Sequence, residues 1–295
     1  MNHPADIALR VLLQDVAAGR GAIEEHILDQ IAMDVKDALR RQVIREPSAG
    51  NFRLRMSNLG KPRCQLWFEK NRPEEAAPRQ PYFLMQMLIG DITEAVFKGL
   101  LRAAQVDFTD TDLVVLNIEG VSIKGSYDLI LDGKVDDVKS ASPWSYKNKF
   151  DSFDTLADGD SFGYVAQLVA YAEAAGLDVG GWWVIEKSNG AFKYVAADGV
   201  DKEAVLADIA KTVRYINNDE PFKRCFEAED ETFFSKPTGN KVLPSGCKFC
   251  DFKKACWPEL RTLPKLVTKP TTKTKPDTDY VYVSPEHEIE GTYGS

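Results

Sequence analysis

The stretch KGSYDLILDGKVDDVKS, residues 124–140, decides the fold. Asp132-Gly133 stands between two runs suited to strands. A two-residue type I′ turn needs positive φ at both loop positions, which Asp-Gly supplies. With those residues as the loop, Leu131 faces Lys134, Leu129 faces Asp136 and Asp128 faces Asp137. Opposed residues have Cβ atoms about 4.5–5.5 Å apart, and like charges there repel. Lys139, two residues beyond Asp137, falls on the same face. The hairpin therefore gathers two carboxylates and an amine. A divalent cation is the natural counter-charge, since Mg²⁺ takes a few carboxylates together with waters and phosphate oxygens. The competing reading is an exposed edge on which solvent screens the two aspartates.

Outward from the hairpin, strand periods cover 112–140 (DLVVLNI, VSIKGSYDLIL, KVDDVKS), with Glu119-Gly120 as a second turn signal. A further strand pair is read in GWWVIEK–SNG–AFKYV, 181–195. Helical spacing marks 5–46, about 82–104, 160–176 and about 201–218. The pattern predicts a mixed α/β class. From about 262 the composition turns to Lys, Thr and Pro and ends in acidic residues, which predicts a disordered tail over 262–295.

The chain has 295 residues and a net charge of −8, an acidity that argues against a generally basic nucleic-acid coat protein. The charge is uneven: 36–63 carries Lys36, Arg40, Arg41, Arg45, Arg53, Arg55, Lys61 and Arg63 against Asp37 and Glu46. No apolar run reaches the roughly 18 residues of a membrane span, and MNHPADIALRVLLQDV lacks the cationic and apolar regions of a signal peptide. Five cysteines, an odd number, do not make a fully paired disulfide framework. These features predict a reducing cytoplasm.

Two more groups bear on the hairpin. Gln167 and Tyr171 lie four apart on one helix face, an amide and a phenol suited to a phosphate or an ordered water. Glu94 is an acid in the otherwise apolar helix IGDITEAVFKGLL, either a third metal ligand or a solvated position. Cys247-x2-Cys250-x5-Cys256 is a compact thiol set, and Cys64 far upstream is a candidate fourth ligand. Four thiolates suit structural zinc or an iron–sulfur cluster. Cys225 fits no ligand spacing and reads as a free thiol. His3, His26 and His287 match no catalytic pattern, and no P-loop is present.

Helix-borne Glu94, Gly125-x-x-Asp128, Asp137-x-Lys139 and Gln167-x3-Tyr171, in that order, resemble the PD-(D/E)XK nuclease superfamily. They are more closely similar to its RecB-like branch, including stand-alone phage-type exonucleases. The sequence departs at Ser126, where some members have proline, and at Glu94, where many RecB-like members have histidine. The upstream Cys64 with the C-terminal thiol set resembles the iron–sulfur staple of AddB and of CRISPR-associated RecB-like nucleases.

The resemblance implies a restriction-endonuclease-like core, a central mixed sheet flanked by helices. It implies an N-terminal helical region at 1–60 and a nuclease domain at 61–261 closed by a [4Fe–4S] cluster on Cys64, Cys247, Cys250 and Cys256. It also implies Mg²⁺ or Mn²⁺ on Glu94, Asp128 and Asp137, with Lys139 orienting or activating the attacking water and helping to neutralise charge at phosphorus, and Gln167 and Tyr171 contacting water or the scissile phosphate. The activity implied is a metal-dependent DNA exonuclease of recombination, replication or end processing, with a recombination or single-strand-binding protein as partner.

The basic span, with Arg53, Arg55, Lys61 and Arg63, is the expected DNA-binding wall, which Lys248, Lys253 and Lys254 extend. Trp67, Phe68 and Trp144 are candidate base-stacking residues. The rival readings are an endonuclease or CRISPR-type end trimmer, a non-catalytic DNA-end binding module, and a zinc-stapled structural protein.

Overall fold

In a computed structural model, residues 3–44, 52–78, 80–269 and 271–288 are described. The helices are α1 (Pro4–Ala17), α2 (Glu25–Val43), α3 (Arg63–Asn71), α4 (Pro81–Ala103), α5 (Phe153–Asp158), α6 (Tyr164–Ala175), α7 (Lys202–Asn217) and α8 (Lys253–Cys256). The strands are β1 (Thr109–Asp110), β2 (Leu113–Ile118), β3 (Val121–Ser126), β4 (Leu129–Leu131), β5 (Lys134–Ala141), β6 (Asp178–Glu186), β7 (Phe192–Ala196), β8 (Glu229–Phe233), β9 (Lys236–Val242), β10 (Arg261–Pro264) and β11 (Asp277–Tyr282). They form two compact units, Met1–Lys61 with Gln80–Asp219, and Pro62–Arg79 with Glu220–Ser295. The N-terminal helices α1 and α2 lie in the same unit as the central sheet.

The first unit is a mixed sheet in the order β1-β4-β5-β6-β7, flanked by helices. The β4–β5 hairpin pairs as its turn residues require: Leu131 faces Lys134 and Leu129 faces Asp136, with Asp132 at φ 49° and Gly133 at φ 73°. The run 121–131 is not one strand, however. It breaks at Tyr127–Asp128 into β3, which pairs with β2, and β4, which joins the central sheet. Asp128 therefore sits at the break, just before the ladder.

Beyond β5 the chain crosses through α6 and returns as β6, parallel to β5, with Asp137 beside Trp182 and Lys139 beside Val184. A parallel return needs a crossover of this kind. Both faces of the sheet are covered, so Trp182, Trp183 and Val184 are all buried although they are consecutive. Val135 and Ala141 pack with Leu168, Tyr171 and Val213 on one side. Val138 and Trp183 pack with Leu9, Phe97 and Leu101 on the other. The span 5–46 read as helical carries α1 and α2, separated by residues 18–24, and its residues 45–46 lie outside the described residues.

The second unit is the antiparallel sheet β10-β11-β9-β8 with a core of Phe68, Leu243, Phe252, Trp257 and buried cysteines. Within the segment whose composition suggests a tail, β10 from Thr262 onward and all of β11 lie in the described residues 262–269 and 271–288. Tyr280, fully buried, donates its hydroxyl to Glu231 Oε1 (2.8 Å) and accepts from the Leu266 N–H. One anchored aromatic and the ladder outweigh a solvating composition. Residues 289–295 of that expectation lie outside the described residues. No helix among the described residues is long and apolar enough to cross a membrane.

Candidate active site

The break at Asp128 aims its carboxylate across the hairpin. Asp128 Oδ2 accepts the backbone N–H of Val138 at 2.7 Å, and Thr111 donates its hydroxyl to the Asp128 carbonyl at 3.0 Å. One residue either side of Val138, Asp137 and Lys139 project from the opposite face of β5, as the period of two requires. The Lys139 ammonium donates to Asp137 Oδ1 at 2.8 Å and lies 2.6 Å from Oδ2. Gly125 makes room for the neighbouring helix. A Cβ there would meet the Tyr171 ring at 2.7 Å and Met56 at 2.9 Å. On α6, Gln167 Nε2 donates to the Tyr171 hydroxyl at 3.2 Å, as their four-residue spacing predicts.

The electrostatics bind these groups into one site. Burial and the Asp137 charge push Asp128 up to about 7, against the opposing pull of Lys139 and the Val138 N–H. Burial also raises Asp137. Burial would lower Lys139, but the flanking Asp137 and Asp128 carboxylates override it and hold the ammonium charged. Burial raises Tyr171 to about 12, with the Gln167 amide opposing and Asp137 and Asp128 adding to the rise. Glu94, on α4, is raised first by burial and then by the charge of Asp128, so it belongs to the same field.

One residue of this site was missed from the sequence. Lys98, a single turn beyond Glu94, is only 7% exposed. Its ammonium lies 3.0 Å from Glu94 Oε1 and donates to Asp110 Oδ1 and to the Thr111 hydroxyl, each at 2.7 Å. A Glu-x3-Lys pair on a helix ordinarily reads as a solvated surface pair. The signal available was the apolar surroundings, AVFKGLL.

The acidic set fits a divalent cation in its chemistry. Asp137 Oδ2 is buried without a hydrogen-bond partner of good geometry, and adjacent carboxylates that repel one another accept a shared cation. Among the described residues, no three His, Cys, Asp or Glu side chains are already gathered at metal-holding spacing. Glu94 is drawn to Lys98 and Asp137 to Lys139, so the chain's own ammonium groups supply counter-charge.

In the second unit, Cys64, Cys247, Cys250 and Cys256 line one small cavity with Phe68, Phe252 and Trp257. None is in a disulfide. Burial pushes Cys247 and Cys250 up to about 11. Cys225, read from the sequence as a spare thiol, is free but lies beside this group, and its sulfur accepts the Cys64 backbone N–H at 3.1 Å. That hydrogen bonding from Cys64 lowers the Cys225 thiol to about 6.

The expected DNA-contacting residues divide. Arg53 and Arg55 are exposed and Lys61 is half-buried in the first unit, while Arg63 belongs to the second. Arg45 lies outside the described residues. Arg41 near the end of α2 contributes its charge to Glu94. Lys253 is engaged with Asp279 Oδ2 at 2.6 Å. Phe68 is corrected as a base-stacking candidate, because it is buried and stacked on Phe252 at 5.4 Å. Trp67 donates to the Glu220 carbonyl and packs against Phe222. Trp144 remains 67% exposed.

The sequence profile of the PD-(D/E)XK nuclease superfamily matches residues 37–257. A solved structure described as the crystal structure of SSO0001 is similar at 16% identity and a TM-score of 0.41, over 80% of this chain and 97% of that one. No curated protein matches. The chain belongs to the PD-(D/E)XK nuclease superfamily.

Proposed function

We propose that this member of the PD-(D/E)XK nuclease superfamily is a Mg²⁺- or Mn²⁺-dependent DNA exonuclease of the RecB-like kind, acting on ends in recombination, replication or end processing. The observation that carries the reading is the Asp137–Lys139 pair beside Asp128, three interacting charged groups under one helix face bearing Gln167 and Tyr171.

Asp128, Asp137 and Glu94 are the residues that would hold the metal. When bound, the ion polarises the phosphate and makes hydroxide available near neutral pH. Lys139 stays protonated between two carboxylates, so it is a donor rather than a base. It orients water and offsets the negative charge that develops at phosphorus, where a fixed charge in a water-poor site acts most strongly. The Asp128 bond to the Val138 N–H fixes the carboxylate relative to β5. Gln167 and Tyr171 place an amide and a neutral phenol where water or a phosphate oxygen would bind. Arg53, Arg55 and Lys61 of the first unit, and separately Arg63 of the second, are proposed as cations that contact the polyanion.

We further propose that Cys64, Cys247, Cys250 and Cys256, which line one cavity, would hold a [4Fe–4S] cluster, with zinc the other metal that four thiolates accept. The function is tested by incubating linear and closed circular DNA with the protein and Mg²⁺. Release of nucleotides from the linear form alone supports an exonuclease. Nicking of the circle would make it an endonuclease.

A further inference from the structure

The β8–β9 hairpin turns on Phe234 and Ser235. Phe233 faces Lys236 across the ladder, so these two residues are the whole loop, at φ 48° and 62°. Glu119-Gly120 and Asp132-Gly133 close two-residue hairpins with the same pair of positive φ values. In both of those the second residue is glycine, as type I′ geometry favours. Left-handed backbone crowds a Cβ, and a bulky residue tolerates it least. Phe-Ser is therefore a poor sequence for the turn that it makes.

Burial does not offset the strain. Phe234 is 70% exposed; its ring meets the Phe233 ring edge-on at 4.6 Å and the Lys269 ammonium at 5.2 Å. An exposed aromatic alone is ordinary. One held at the tip of a turn that Asn or Gly would fit better points to a contact outside the chain. The charge around the tip narrows the partner. The β8 carboxylates are engaged within the second unit: Glu229 Oε1 accepts the Ser245 N–H at 2.9 Å, and Asp230 Oδ1 lies 2.6 Å from the Lys241 ammonium. Glu231 is buried and accepts from Tyr280, Asn240 and Thr238. Lys236 and Lys269, both exposed, stand on either side of Phe234. An aromatic between cations suits a nucleobase and the phosphates that flank it.

We propose that the Phe234 tip is a contact for single-stranded DNA, at which one unpaired base stacks on the ring while Lys236 and Lys269 meet its phosphates. The inference rests on the nuclease reading above. Phe234 belongs to the second unit and is none of the groups proposed for cleavage.

The test compares the full-length wild-type chain with Phe234→Asn, which keeps the turn and removes the ring, and with Ser235→Gly, which relieves the turn and keeps the ring. Binding of single-stranded oligonucleotides is read by anisotropy with Ca²⁺ in place of Mg²⁺, cleavage separately with Mg²⁺, and melting temperature on the same preparations. Phe234→Asn should bind about tenfold more weakly, the scale of one lost base–aromatic stack, while melting at or above the wild-type temperature. Ser235→Gly should melt higher and bind as wild type. One abasic position walked along the strand should cost wild type a similar factor at one register and cost Phe234→Asn nothing further. Unchanged binding by Phe234→Asn overturns the contact. A lower melting temperature for Phe234→Asn also overturns it, since the ring then serves the fold. If wild-type protein cuts no DNA at all, the nuclease reading fails and this one with it. Cleavage by wild type with an unchanged KM in Phe234→Asn refutes the tip contact alone.

Discussion

Asp128 Oδ2 accepts the backbone N–H of Val138 at 2.7 Å, so the carboxylate at the end of one strand is fastened to the strand that carries Asp137 and Lys139. This bond replaces the side-by-side ladder pair expected from the hairpin. It turns a repulsive juxtaposition into a fixed acidic pocket.

Lys98 should carry much of the local stability around Glu94. Lys98→Met leaves Glu94 and Asp110 without their shared ammonium, and breaking a buried pair by removing one partner costs about 3 kcal/mol. Urea denaturation should show the loss, and calorimetric titration with Mn²⁺ should show altered affinity as Glu94 is released. Unchanged values in both would remove Lys98 from the site.

Gly125→Ala should displace Tyr171. Its Cβ would meet the ring at 2.7 Å and Met56 at 2.9 Å, and overpacking of this kind costs about 1–3 kcal/mol. Activity should fall with stability, and a smaller residue at Tyr171 or Met56 should recover part of both. Thermal melting of the single and double variants measures this.

The buried carboxylate of Asp136 should make stability depend on pH. It accepts from the Gly181 N–H, the Trp183 indole and the Tyr194 hydroxyl, yet burial pushes it from 3.8 up to about 7. The folded state therefore binds more protons than the unfolded state between those values, so this group's contribution is fullest below about 3.8 and is lost as pH rises through about 7. Asp136→Asn should flatten that part of the profile, read as denaturation midpoints across the range. An unaltered slope would contradict the assignment.

The thiol cavity should hold metal. Protein purified without oxygen is expected to be brown and to contain iron and acid-labile sulfide, and Cys250→Ala to lose both and to unfold at lower temperature, since metal binding is folding free energy. Colourless protein with stoichiometric zinc would establish the alternative ligand chemistry.

Local chemistry made part of this molecule legible. Asp132-Gly133 dictated the hairpin register because both φ values are positive there, and the i, i+4 spacing placed Gln167 against Tyr171. What sequence alone did not reveal was non-local. The parallel pairing of β5 with β6 depends on a crossover, and the break at Tyr127–Asp128 depends on which sheet each half joins. The strands β10 and β11 lie in a segment whose composition resembles a solvated tail. Phe68 and Lys98 were misread or missed because burial inverts the meaning of an aromatic and of an ion pair.

Asp128, Asp137 and Lys139 are proposed to form a phosphodiester-cleaving centre. The most direct measurement is single-turnover cleavage of end-labelled linear DNA with Mg²⁺ by wild type, Asp137→Asn and Lys139→Met, alongside DNA binding by each. Wild type should cut, and both variants should bind DNA yet cut at least about a hundredfold more slowly, the scale for removing one preorganised charge-stabilising group. Cleavage at the wild-type rate by both variants would contradict the account.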